Sequence, residues 1–202
     1  MAHPPAPSSL SKLVKAHGVV SERTLIHFLA GEPVRGSWWG HAKSHVIFHA
    51  LGELREDKDV LLCKLLEGKQ TYVHRQRWPA LLRLQAEASL WPRLSPKAHA
   101  LLARVKREGR VRATGRVRLE LERSLRVVAR SEHTASGAHA VFLTPLESHF
   151  SEAHRRAAAR LSLQEARAAL TPRAEATPQK PKRSLTTSAS RGRGTARQSG
   201  RR

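Results

Sequence analysis

The amino-acid sequence predicts an α+β fold that is mainly helical, with two small β-hairpins and a disordered basic tail. Segments with apolar side chains at helical spacing alternate with two pairs of short strand-forming runs, and a turn containing Gly joins each pair. Seven of the nine aromatic residues lie between Phe28 and Trp91. Because large aromatic side chains bury the most area, we expect a core in the first half of the chain.

The composition divides the chain into five segments. A beginning rich in Pro and Ser precedes the helical and strand patterns, and no aromatic residue follows Phe150. The last 32 residues hold nine Lys and Arg, one Glu and many small polar residues, a composition that supports no core. We expect a flexible N-terminal arm (1–18), an aromatic-rich α+β unit (19–92), a winged-helix-like unit (93–150), an Ala- and Arg-rich solvated helix (151–170) and a disordered basic tail (171–202).

The aromatic-rich unit is expected to contain two helices, a hairpin and a third helix. Ser21 suits the N-cap of the first helix, and Gly31 ends it. The second helix is expected from about His41 to Leu54, with apolar side chains on one side. The runs VLLCKLL and QTYVHR predict a hairpin with Gly68 at its turn, and a third helix begins near Trp78.

The winged-helix-like unit is expected to begin with a helix that Ser95 caps and Gly109 ends. The stretch GRVRLELERSL, from Gly115, fits both helical and strand spacing, and we favour a helix because Leu, Glu and Arg are good helix formers. The runs RVVARSEHT and AVFLTPL predict a second hairpin. Helix, turn, helix, hairpin is the order of a winged helix, a helix-turn-helix unit with a wing that docks on duplex DNA.

The charge of the chain points to a polyanionic partner. Lys and Arg number 37 against 16 Asp and Glu, a net charge of +21. Such a charge repels itself, and its usual rationale is a polyanion. Nucleic acid is favoured over a membrane surface because no long basic amphipathic helix with a bulky apolar face is evident. The winged-helix pattern favours DNA over RNA, and a compositional bias toward Arg and Ala is the open alternative.

The main candidates for nucleic-acid contact lie in the second unit. Arg116, Arg123 and Arg126 point away from the apolar stripe of the helix predicted from Gly115. Arg118 and Arg130 belong to the same set of arginines, and two His flank the turn of the wing. These candidates are Arg116, Arg118, Arg123, Arg126, Arg130, His133 and His139. In the first unit, Trp38 or Trp39 suits stacking on an unpaired base, and Arg35 suits a phosphate. The alternatives are a solvated face for the arginines and a core position for one indole.

Three histidines, His41, His45 and His49, recur at every fourth position of the predicted second helix. Imidazoles at this spacing lie on one face and are weak candidates for a divalent metal. The alternatives are a surface facing phosphate or a partner, and a solvated face. The sequence has no HExxH or comparable zinc motif, so we predict no metal and no cofactor.

Several classes of protein are disfavoured. Cys63 is the only cysteine, which excludes an intrachain disulfide and a thiolate metal cluster. No apolar run reaches the roughly 18 residues that a membrane span needs, and the first residues lack the apolar region of a secretory signal. We therefore expect no membrane partner and a cytoplasmic location, at the nucleoid if the protein binds DNA. The oligomeric state is not indicated.

Two parts of the chain resemble known groups of proteins. The block GSWWGHAKSHVIFHALGEL, followed by DVLLCKLLEGKQTYVHRQRWPAL, is similar to small uncharacterised bacterial proteins that share a Gly-Ser-Trp-Trp-x-His segment. This resemblance implies no activity. The region from Ser95 to Leu146 resembles winged-helix domains of DNA-associated bacterial proteins, some of them glycosylases for damaged DNA. Neither resemblance matches a catalytic motif residue by residue.

These observations predict a nucleic-acid-binding protein that grips duplex DNA with the second unit and gains affinity from the tail. The leading interpretation is not an enzyme, and no catalytic residue is assigned. One alternative is a DNA-repair enzyme, a glycosylase or nuclease that inserts Trp38 or Trp39, for which Glu32, Glu53 and Glu132 are the candidate acids. The other alternative is an RNA- or ribosome-associated basic protein.

Overall fold

The computed structural model describes residues 7–133 and 138–172. Its helices and sheets confirm the α+β class, with eight α-helices and two three-stranded antiparallel sheets in these residues. The predicted basic tail lies outside the described residues beyond Pro172, as do the first six residues of the predicted arm. No helix in the described residues is long and apolar enough to span a membrane.

In the structure, the first unit comprises residues 7–74 and contains three helices and a sheet. Its elements are α1 (Pro7–His17), β1 (Val19–Ser21), α2 (Glu22–Ala30), α3 (Ser44–Glu56), β2 (Val60–Lys64) and β3 (Gln70–His74). The strand order is β1-β3-β2, and all pairs are antiparallel. The predicted hairpin is confirmed, while β1 has only three residues and escaped the sequence analysis.

Helix α1 overturns the expectation of a flexible arm (1–18) for its described residues, 7–18. Leu10 and Val14, one helical turn apart, are completely buried in the first core with Leu25, Ile47 and Tyr72. The Pro and Ser content of the first residues suggested a loose arm. The apolar side of α1 is nevertheless covered by α3 and the sheet, and this packing stabilises the helix more than local propensity does.

The ends of α2 follow the expected capping. The Ser21 hydroxyl accepts a hydrogen bond from the Thr24 amide (3.1 Å), and Gly31 ends the helix in the left-handed region at φ 80°. Helix α3 begins at Ser44 rather than near His41. A 3-10 turn over Trp38–Gly40 occupies the preceding segment.

The second unit repeats the plan with one helix fewer. Its elements are α5 (Pro96–Glu108), β4 (Val111–Arg112), α6 (Gly115–Arg123), β5 (Val127–His133) and β6 (His139–Pro145), after α4 (Trp78–Ala86) of the connecting segment. The strand order β4-β6-β5 matches that of the first unit. The favoured helix is confirmed as α6, and the second hairpin is confirmed. The two-residue strand β4 was missed.

The remaining helices cover the outer side of the first sheet. The predicted single helix over 151–170 is instead two helices, α7 (Glu152–Ala159) and α8 (Leu163–Leu170), and Ser162 caps the second. Both pack against α4. Ala158, Ala166 and Leu170 are buried in a core with the sheet residues Leu61 and Val73, so these helices are not solvated on all sides. Alanine gives little area to bury, but it lets helices approach closely.

Candidate nucleic-acid interface

Arg118, a predicted phosphate contact, is directed toward the boundary between the two units. Its Nε lies 3.3 Å from the Glu122 carboxylate, and Lys64 Nζ of β2 reaches the same carboxylate at 3.7 Å. The Glu122 side chain is 7% exposed. Helix α6 therefore places Arg118 in a buried charge cluster against the first sheet, and this guanidinium is not free for a phosphate.

Two further predicted arginines also lie against the first unit. Arg130 Nη2 donates to the Arg55 carbonyl oxygen (2.8 Å) and pairs with Glu56 (3.2 Å). The Arg123 side chain lies next to Gly68 of the first hairpin, where a methyl group would be 3.5 Å from Arg123 Cγ. Arg118 and Arg123 of α6 and Arg130 of β5 thus lie at the contact between the units.

The other predicted residues of this unit have mixed environments. Arg116 is exposed and its side chain has no hydrogen bond or ion pair with another described residue, while Arg126 is half-buried. His133 and His139 are opposite each other in the β5–β6 pair, and His139 is exposed. The Gly-containing turn between them lies outside the described residues.

A basic surface lies at β4, and the sequence analysis named Arg116 of it but missed Arg110 and Arg112. The Arg110 guanidinium lies 3.8 Å from the Phe142 ring centroid and pairs with Glu132. Arg112 is opposite Phe142 in the sheet, is exposed, and has no ion pair with another described residue. The signal was present in the run KREGRVR, residues 106–112. We call Arg110, Arg112 and Arg116 the β4 arginine surface.

The first unit presents an exposed group of aromatic rings. Trp38 and Trp39 are stacked with centroids 4.1 Å apart, and Phe48 of α3 lies 5.7 Å from Trp39. Trp38 packs against the first core, whereas Trp39 is 63% and Phe48 43% exposed. Exposed aromatic rings that adjoin one another form a candidate contact surface. We call Trp39, His45, Phe48 and His49 the α3 aromatic surface.

His41, His45 and His49 do not form one group in the structure. His45 and His49 have their Nε2 atoms 3.0 Å apart, while His41 Nε2 instead lies 3.1 Å from Glu32. Among the described residues, no group of three or more His, Cys, Asp or Glu could hold a metal ion. His45 and His49 remain beside Phe48 as hydrogen-bonding groups of the α3 aromatic surface.

The loop before these tryptophans is held in place from one side. Lys43 Nζ donates to the Ala30 carbonyl oxygen (2.7 Å) and so ties the start of α3 to the end of α2. Arg35 is exposed and has no ion pair with another described residue. Arg35 therefore lies on the same connection as Trp39 and is free to contact a ligand.

The candidate acids of the enzyme alternative are not buried. Glu32 is bound by His41, Glu132 by Arg110, and Glu53 is exposed on α3. Among the described residues, Glu122 is the one buried carboxylate; it lies within ion-pair distance of Arg118 and Lys64, and its Oε1 accepts no hydrogen bond. Comparison with protein-family models, curated proteins and solved structures yields no match to this chain.

Proposed function

We propose that this protein binds nucleic acid, duplex DNA in preference to RNA, through two winged-helix-like units. The α3 aromatic surface is the contact with the groove, and the β4 arginine surface contacts phosphates. The basic tail adds affinity that does not depend on base sequence.

The observation that carries this proposal is the repeated order of elements. The first unit runs helix, strand, helix, helix and hairpin, and its first strand pairs with the last. This is the order of winged-helix domains, in which the helix before the hairpin lies in the major groove. Helix α3 has that position, and its outer side carries His45, Phe48 and His49, all exposed.

When both units are compared with winged-helix domains, the principal DNA contact is expected on the first unit and not on the second. Helix α6 has the equivalent position in the second unit, but Arg118 and Arg123 on it face the first unit. A duplex would have to separate the units to reach that face. The outer side of α3 is not covered by any described residue in this way.

The α3 aromatic surface and the β4 arginine surface contribute different kinds of interaction to binding. Helix α3 holds a single basic side chain besides its histidines, Arg55, which is engaged by Glu22 and Tyr72. Contact through α3 is therefore apolar and hydrogen-bonding, because imidazoles both donate and accept. The described residues hold 28 Lys and Arg against 15 Asp and Glu, and this excess provides the phosphate contacts.

Fluorescence-anisotropy titration with duplex DNA, single-stranded DNA and RNA over a salt series tests the proposal. Trp39→Ala with Phe48→Ala is expected to weaken duplex binding about tenfold with little change in salt slope, since stacking and packing are lost and charge is not. Arg112→Gln with Arg116→Gln should lower the slope by about two, one unit per phosphate contact.

Arg156→Gln provides the matched control. Arg156 is exposed on α7 and has no ion pair with another described residue, so its replacement removes charge away from both surfaces. The proposal fails if the aromatic variant binds duplex as the parent does. It also fails if RNA is preferred, a result that would favour the RNA-associated alternative.

A second candidate follows from the exposure of Trp39. An indole that is 63% exposed and already stacked on Trp38 is prepared to accept an unpaired base, for which stacking contributes roughly 1–3 kcal/mol. This candidate predicts tighter binding to a duplex with an abasic or unpaired site than to a matched duplex. Trp39→Ala should abolish that difference, and equal affinities in the parent would exclude it.

A further inference from the structure

An open cleft of about 390 Å³ with a mixed polar and apolar lining lies on another part of the molecule, where α1, the end of β3 and α7 meet. Its size falls within the range of small-molecule sites, about 300–1,000 Å³. Its lining includes Lys15, Asp59, His74, Arg75, Gln76 and His154. Helix α1 packs on the buried side of α3, so this cleft is not continuous with the α3 aromatic surface.

His74, the last residue of β3, is 4% exposed and lines the cleft. Its Nδ1 accepts the backbone N–H of Gln76 (3.4 Å). Burial is the largest cause of a lowered pKa of His74, and the neutral ring then carries its proton on Nε2. That N–H has no hydrogen-bond partner among the described residues. Because His74 lines the cleft, a ligand bound there can accept this hydrogen bond.

His154 presents the same tautomer from α7. Its Nδ1 accepts a hydrogen bond from the backbone N–H of Ser151 (3.2 Å). Burial is the larger cause of a lowered pKa of His154, and the positive charge of Arg75 is the smaller one. The Nε2 proton of this ring is therefore also available as a donor. Two imidazoles on different elements are thus oriented by backbone amides so that each offers an N–H.

The charged residues of the cleft make it selective for acceptors. Lys15 is exposed and has no ion pair with another described residue. Asp59 is the one carboxylate in the lining, and Arg75 Nη1 already bonds it at 3.0 Å. The lining therefore offers an ammonium, a guanidinium and imidazole N–H groups, and few free acceptors. Phosphate oxygens only accept hydrogen bonds and carry negative charge, which matches this set.

We propose that the cleft formed by Lys15, His74, Arg75 and His154 binds a phosphate group. The group belongs either to a free phosphate or phosphate monoester, or to a nucleic-acid backbone. Lys15 supplies the unpaired charge, Arg75 supplies the guanidinium N–H groups that Asp59 does not use, and His74 and His154 supply directed hydrogen bonds. The inference does not depend on the proposed DNA contact, because it uses a different set of residues.

Equilibrium dialysis of the full chain with labelled inorganic phosphate, at constant ionic strength in chloride, tests this site. A saturable component is expected, and Lys15→Met and His74→Gln should each weaken it at least about tenfold. Lys12→Met is the matched control, because Lys12 is exposed on the same helix, outside the cleft. Its affinity should stay within about twofold of the parent.

Nuclear magnetic resonance of the imidazole nitrogens separates this site from the basic tail. Phosphate should shift the His74 Nε2 resonance, with the same midpoint as the dialysis, and Lys15→Met should move that midpoint. Absence of saturable binding, or an equal loss in Lys12→Met and Lys15→Met, would overturn the proposal. Lys15→Met replaces an exposed side chain, so this outcome can be read even if His74→Gln fails to fold.

Competition identifies the source of the phosphate. If adenosine monophosphate displaces labelled phosphate and Lys15→Met leaves duplex affinity unchanged, the ligand is a free phosphate compound. If a short duplex displaces it and Lys15→Met weakens duplex binding, the ligand is the nucleic-acid backbone. If neither compound displaces it while binding stays saturable and depends on Lys15, the ligand is inorganic phosphate itself. The α3 variants report on the proposed DNA contact separately.

Discussion

Glu122 is the position at which the association of the two units is most directly tested. Its carboxylate is 7% exposed and lies 3.3 Å from Arg118 and 3.7 Å from Lys64, which belongs to the other unit. Glu122→Gln keeps the shape of the side chain and removes its charge. Lys64 and Arg118 would then be left next to each other without a compensating carboxylate.

The expected loss follows from burial and distance. Breaking a buried pair by removing one partner costs about 3–5 kcal/mol, because the remaining charge is uncompensated. The Lys64 and Arg118 side chains keep 19% and 24% of their exposure, so water relieves part of this cost. We expect Glu122→Gln to lower the free energy of unfolding by about 2–4 kcal/mol. Added salt should change this little, since buried charges are poorly screened.

Urea denaturation followed by circular dichroism and tryptophan fluorescence measures this loss. A double-mutant cycle with Lys64→Met should give a coupling free energy of about 1 kcal/mol or more. Glu152→Gln is the control, because the Glu152 side chain is 63% exposed and should change stability by less than about 0.5 kcal/mol. If Glu122→Gln unfolds like that control, or if the coupling is zero, the charge cluster does not join the units.

Three further predictions concern the cores and the buried histidine. Leu10→Ala should destabilise the protein by about 2–5 kcal/mol in urea denaturation, against little change for the exposed Lys12→Ala, and equal effects would contradict a packed α1. Burial raises the pKa of the Cys63 thiol to about 12, so a thiol reagent at pH 8 should label it only after unfolding, and fast labelling of the native protein would contradict its burial. The folded state lowers the pKa of His74, chiefly by burial, so the unfolded chain binds more protons below about pH 6.5. The contribution of neutral His74 to the free energy of unfolding is therefore fully present above about pH 6.5 and is lost as pH falls through the folded pKa. The loss of stability at low pH, measured by thermal unfolding, should be smaller in His74→Gln.

Much of the local structure was predictable because its determinants lie within a few residues of one another. Ser21 and Ser95 cap helices by bonding amides three residues ahead, and Gly31 ends a helix where φ must be positive. The two hairpins and α6 likewise follow from local spacing. The strands β1 and β4 were missed because two or three residues carry no periodicity to detect.

The candidate contact residues were only partly predictable. Composition alone indicates a polyanionic partner, and the exposed Trp39 was among the residues singled out. Helical spacing places Arg118 at the edge of the apolar stripe of its own helix. It does not show that β2 of the other unit covers that side. Arg112 was overlooked because its strand was not recognised.

The sequence by itself determined the charge, the element types and the local caps of this protein. Only the tertiary structure decided that α1 is buried, that α7 and α8 lie on α4, and that α3 rather than α6 keeps an open face. Arg130, for example, is bound to the carbonyl of Arg55, far away along the chain. A short-range pattern shows which side of an element is apolar. Which distant surface covers that side depends on how the whole chain buries its apolar area and pairs its buried charges.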